Sequence, residues 1–137
     1  MSRIALPEAF VNVTGNKTLA AVDAGVVQRI IADGAVITLP STAAGLTFIF
    51  EVGGVPKAGA PVGTGDNNSV GFAVSPAATD GITGGGKATP VVNKDFLYGK
   101  TNSKVGARLA VVGSGTAGTG GWIVTEISDA GNWTREA

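Results

Sequence analysis

The sequence predicts an all-β protein, a single-domain β-sandwich or small β-barrel of about eight short antiparallel strands behind an extended N-terminal arm. Three observations carry that reading. The 22 glycines among 137 residues follow no collagen-like period and suit frequent tight turns. The apolar runs are short, several alternate inward and outward, and turn residues cut them at close intervals. No stretch sustains a helical period. Where one comes closest, from Ala20 to Ala32, the β-branched Val22, Val26, Val27, Ile30 and Ile31 argue for strand.

Residues 1–16 carry Ile4, Leu6, Phe10, Val11 and Val13 around Pro7 without a period, and are expected to form the arm; residues 17–137 form the β-domain. From Lys17 onward TLAAVDAGVVQRIIADGAVITLP holds three apolar runs. They are broken at Asp23-Ala24-Gly25 and at Asp33-Gly34, the latter a strong hairpin dipeptide. AVITLP puts Ala35, Ile37 and Leu39 on one face and Val36 and Thr38 on the other, and Pro40 stops it. GLTFIFEV is the clearest strand, with Leu46, Phe48, Phe50 and Val52 alternating against Thr47, Ile49 and Glu51. Residues 53–68 and the segment DGITGGGKATP read as glycine-rich loops, with SVGFAV extended between them. ARLAVVG is a strand, and GWIVTEISDAGNWTRE reads as a hairpin turning at Ser128 to Gly131. In that hairpin Trp122, Val124 and Glu126 oppose Ile123, Thr125 and Ile127.

Composition narrows the chemistry. Ten basic and ten acidic residues cancel, so no net field draws the chain to nucleic acid or to an anionic membrane. Neither cysteine nor histidine occurs, which removes thiolate chemistry, disulfides, the commonest general base and the commonest neutral metal ligand. No apolar run is long enough for a membrane-spanning helix, and no secretion signal is visible behind Arg3, so synthesis in the cytoplasm is expected. Hydrophobic residues at 44% against 15% charged leave little charge for a monomer's surface, and point to cover by other subunits.

Two glycine motifs invite a nucleotide reading and fail it. GSGTAG at residues 113–118 spells G-x-G-x-x-G. It runs into the β-rich WIVTEI, however, and too few residues follow for a crossover helix, so it reads as an inter-strand loop. GITGGGKA at 81–88 falls one residue short of a phosphate loop, Ala88 lacks the magnesium-binding hydroxyl, and Pro90 blocks the helix. Lys87 is then a solvated loop charge. Asp66-Asn67-Asn68 lacks EF-hand spacing and reads as turn chemistry. No spacing demands that Asp23 meet Asp33 or that Glu51 meet Glu126, and Trp122, Trp133 and Tyr98 suit core lids or interface anchors. The expectation is a non-enzyme without cofactor or metal.

ITLPSTAAGLTFIFEVGG together with GWIVTEISDAGNWTRE resembles the small all-β decoration, or cement, proteins of tailed-bacteriophage heads. The resemblance is one of strands and turns, a Leu-Pro step, a small-residue turn, an aromatic alternating strand and a closing tryptophan hairpin, across residues 17–135. It implies a homotrimer on the capsid exterior of a virion that binds the major capsid protein and stabilises the shell. Apolar spacing assigns Leu6, Phe10, Val11 and Val13 of the arm to contact with the shell or a neighbouring protomer. The outward Val36 and Ile49 are assigned to contact between subunits. The alternative is a phage fibre or tail receptor-binding module, reading a host glycan or protein through the loops at 53–68 and 80–90.

Overall fold

Short amphipathic strands can bury their apolar faces only by stacking two sheets, and that is the architecture of the chain. The computed structural model describes residues 9–53, 70–87 and 91–136. Among the described residues eleven strands run in chain order: β1 (Phe10–Val13), β2 (Lys17–Thr18), β3 (Val27–Ile30), β4 (Ala35–Thr38), β5 (Thr47–Val52), β6 (Phe72–Ser75), β7 (Asp80–Thr83), β8 (Phe96–Tyr98), β9 (Arg108–Gly113), β10 (Gly118–Ile127) and β11 (Trp133–Arg135). One sheet has the order β1-β3-β5-β9-β10-β7 and the other β11-β8-β6-β4-β2. The protein is a single-domain β-sandwich.

The chain changes sheet at nearly every connection, and this corrects the expected antiparallel arrangement. Because β2 lies across the core from β1 and β3, the chain returns to the first sheet in its starting direction, so β1, β3 and β5 pair in parallel, as do β2, β4 and β6. Asp33-Gly34 therefore closes no hairpin. Gly34 has φ +79°, its N–H bonds Gly71 O at 2.8 Å, and the Asp33 carboxylate accepts from Gly71 N at 3.0 Å, so the dipeptide arches from one sheet to the other. The Ser128–Gly131 turn is likewise an arch, since β10 and β11 belong to different sheets and β11 pairs with β8. Among the described residues only GSGTAG joins two sequence-adjacent partners, β9 and β10, as the inter-strand loop that was expected.

The inner faces meet in one core of Ile30, Ile37, Phe48, Phe50, Val52, Val74, Phe96, Leu109, Val111, Trp122 and Trp133, among others. Trp133 sits in an aromatic cluster, its ring 4.8 Å from Tyr98 and 5.5 Å from Phe72, while Trp122 meets Phe48 edge-on at 5.4 Å. Both tryptophans and Tyr98 are thus core lids. A β-bulge breaks the expected alternation of β10: Val124 pairs with Val111 and Glu126 with Ala110, so Thr125 is the extra residue. Beyond it Ile127 turns inward and Glu126 outward, the reverse of strict alternation.

Two glycine-rich stretches owe their composition to close packing. A Cβ on Gly113 would fall 2.2 Å from Ala43 O, and one on Gly115 would fall 3.0 Å from Ala44 Cβ. The glycines of GSGTAG therefore make room for the turn that follows Pro40. DGIT, expected as loop, is strand β7, with Gly81 placed where the backbone of Thr119 comes within 2.8 Å of a Cβ position. Lys87 donates to Ala130 O.

Two titrations report on this packing. Tyr98, the one tyrosine in the chain, is buried and donates to Asp129 Oδ2 at 2.6 Å. Desolvation first, and that bond second, push its hydroxyl up to about 12. A spectrophotometric titration of tyrosinate should therefore show a midpoint near 12, and the protein should lose stability as pH climbs from 10.0 through that value. At Asp33 the Gly71 N–H, then Lys100, hold the carboxyl below its usual 3.8. Its contribution is complete above pH 3.8 and is lost as pH falls through the lowered value. Thermal melts of Asp33→Asn should show a lower Tm than the parent at neutral pH, with the gap closing in strong acid.

Candidate interaction surface

Pairing fixes which residues share the outer face of the six-stranded sheet. One row runs Phe10, Val27, Ile49, Ala110 and Glu126, and the next runs Asn12, Arg29, Glu51 and Arg108. The centre of the first row is occupied: Val27 and Ala110 are buried and Ile49 is partly so. The exposed apolar groups lie at the ends of the face. Phe10 (48% exposed) and Ile31 stand at the β1 edge, and Ile123 (41%) stands on β10.

The second row is electrostatic. Glu51, only 13% exposed at its side chain, accepts from Arg29 Nε at 3.1 Å through one oxygen. Its other oxygen accepts from Arg108 Nε at 2.9 Å and is 2.7 Å from Arg108 Nη2. The Arg29 guanidinium also lies 3.9 Å from the centre of the Phe10 ring, a cation–π stack that holds Phe10 on the outer face. Gly53 permits this arrangement, because a Cβ there would sit 2.7 Å from Arg29 Cγ and 2.8 Å from Ile31 Cγ2. A groove of about 530 Å³ opens here, lined by Asn12, Arg29, Ile31, Glu51 and Val105.

The sequence-assigned contact residues divide. Phe10 and Val11 lie on the edge strand but on opposite faces: Phe10 turns outward, whereas the period of two gives Val11 and Val13 the inward face. Val11 stays 39% exposed at the sheet margin, while Val13 is 3% exposed beside Ile30. Val13 is a core residue, which corrects its assignment as a contact. Ile49 lies on the same outer face as Phe10, whereas Val36 lies on the outer face of the opposite sheet in a row with Ala73 and Leu97. Ile49 and Val36 point away from each other and form no common patch. Leu6, residues 54–69 and 88–90, and with them Asp66-Asn67-Asn68, lie outside the described residues.

Of the four carboxylates weighed as reactive pairs, Glu126 is exposed and the other three are tied to separate cations. Asp23 lies 4.0 Å from Lys17, Asp33 is 2.9 Å from Lys100, and Glu51 is taken by the arginines. Among the described residues no group of three or more acidic side chains could hold a metal ion. A second cleft of about 330 Å³ is polar and is lined by Asn102, Lys104, Asp129, Gly131 and Asn132. Sequence reasoning missed both the arginine pair and this cleft, because each is assembled from strands or turns far apart in the chain.

Removing the Glu51 charge takes from Arg29 and Arg108, each about one-third exposed, the carboxylate they share. Glu51→Gln should cost about 2 kcal/mol in denaturant unfolding, with part of the loss recovered at high salt. No protein-family model matches the chain, and no curated protein sequence matches it, so its own surface carries the functional reading.

Proposed function

We propose that this chain is a structural virion protein, a capsid decoration protein that binds the outside of a phage head as a homotrimer and strengthens the shell. The observation that carries the reading is the β1 edge. Here a strand with exposed Phe10 and Val11 lies at the margin of a sheet, and the sequence before it carries the apolar residues Ile4 and Leu6. In a strand, alternate residues aim their backbone groups at opposite edges. Ala9 O and Val13 O accept from Val27 and Ile31, so the N–H and C=O of Phe10 and Asn12 face away from β3. Such an edge suits a protein whose work is association with other polypeptides.

The mechanism is additive burial. An interface of roughly 1,600 Å² in total, repeated for each protomer of a trimer, combines modest individual grips through high effective concentration. A trimer that straddles a boundary between capsomers then resists their separation under internal pressure. The partners are further copies of the chain and the major capsid protein.

A second reading, a fibre or receptor-binding module, draws on the polar cleft at Asn102, Lys104, Asp129 and Asn132. Its amides, carboxylate and ammonium match the hydroxyls of a sugar. Binding to host cells instead of empty heads would select it.

The test uses undecorated heads of the phage whose genome carries the chain. Added protein should raise the temperature at which heads release DNA. Deleting residues 1–8, which spares β1, should weaken head binding at least about tenfold, or about 1.4 kcal/mol. Unchanged DNA release overturns the decoration reading.

A further inference from the structure

We infer that the cleft between the 100–104 turn and the 128–132 arch binds a neutral sugar, with the Asp129 carboxylate, the Lys104 ammonium and the Asn102 and Asn132 amides taking the hydroxyls of one ring. The inference rests on the sugar-matching cleft of the second reading above, and it narrows the ligand from sugars at large to uncharged ones.

The cleft is held in shape by the protein's own bonds. Buried Tyr98 ties its two walls together: the hydroxyl accepts from Lys104 N at 2.9 Å and donates to Asp129 Oδ2 at 2.6 Å. Asn132 ties the arch to β8 a second time, since its Nδ2 donates to Gly99 O at 2.7 Å and its C=O accepts from Gly99 N at 3.1 Å. The Asn132 N–H closes the arch on Asp129 O at 2.9 Å. Side chains fixed in this way lose little freedom when a small ligand binds.

The lining then selects the ligand's chemistry. It carries one ammonium, one carboxylate and two amides around about 330 Å³, at the small end of the roughly 300–1,000 Å³ usual for small-molecule sites. Lys87 bonds the arch at Ala130 O but does not line the cleft. Neither a bare cation nor a bare anion suits the lining. Lys104 Nζ lies 3.4 Å from Asp129 Oδ1, so a cation at the carboxylate meets the ammonium and an anion at the ammonium meets the carboxylate. An apolar ligand would take water from these polar side chains and return no bond. A sugar hydroxyl satisfies both charges, donating to Asp129 Oδ1 while accepting from Lys104 Nζ, and its neighbours fall to the amides, which donate and accept. Tyr98 already occupies Asp129 Oδ2, which leaves Oδ1 for this role. At 15% exposed the carboxylate is sheltered from water, which strengthens the bonds it accepts.

The test is calorimetric titration of the full chain with the methyl glycosides of glucose, galactose, mannose and N-acetylglucosamine, beside N-acetylneuraminic acid, inorganic phosphate and calcium ion. At least one neutral glycoside should bind with a Kd of about 1 mM or tighter, and with the same Kd at low and high salt. The Trp133 indole N–H donates to Ser128 O at 3.1 Å, so a shift of its NMR signal reports binding at the arch. Asp129→Asn keeps a residue at ease with the left-handed backbone at φ +54°, and Asn102→Ala changes an exposed side chain; thermal melts check that both fold. The first should weaken glycoside binding at least about tenfold and the second about threefold. Preference for N-acetylneuraminic acid, phosphate or calcium over every neutral glycoside overturns the inference, as does binding that both variants leave intact, or no binding at all. If host cells are bound while every glycoside is ignored, the inference falls and the receptor reading stands. If a glycoside is bound and host cells are ignored, the inference stands and the receptor reading falls.

Discussion

The fold depends on one constraint: each strand carries a single apolar face, and the strand after it supplies the opposing one. Val13, Ile30 and Val52 stack in one sheet, and Ile37 and Val74 in the other, because the chain crosses the core between them. The parallel pairing, the arches at Asp33-Gly34 and Ser128–Gly131, and the placement of both tryptophans follow from that crossing. Burying each of these large side chains contributes about 1.5–3 kcal/mol against leaving it exposed, more than any surface ion pair here can supply.

Much of the strand content was legible because alternation is a local signal. GLTFIFEV declares its faces within eight residues, and its structure follows that pattern through Val52. GSGTAG was legible for a similar reason, since no helix could follow it. Partner choice was not legible. A turn dipeptide such as Asp33-Gly34 encodes a reversal of direction, and both a hairpin and an arch need one. The bond from Gly71 that selects the arch comes from 38 residues away. Strand β7 was hidden because Gly81 reads as a breaker, although its missing side chain is what lets β10 approach.

The surface was legible only in outline. Of the residues assigned to contacts, Phe10, Val11 and Ile49 do share one sheet. The sequence could not separate Val13 from them, because an irregular arm carries no period from which to assign faces. Nor could it reveal that Glu51 lies between two arginines at positions 29 and 108, since their meeting depends on a parallel pairing on one side of β5 and an antiparallel one on the other. The single residue added at Thr125 has the same character: a local insertion that decides which face a distant charge occupies.

The repeated crossing also governs how the molecule is made. Phe10 first meets its partner at Val27, Ala35 waits for Phe72, and Asp80 waits for Gly118. A nascent chain emerging from the ribosome therefore has few neighbours to pair with until most of it has been synthesised. With so many contacts between remote residues, the search for the native state belongs to the slow, millisecond-to-second class. During that interval the apolar faces of the strands have no opposing sheet to cover them.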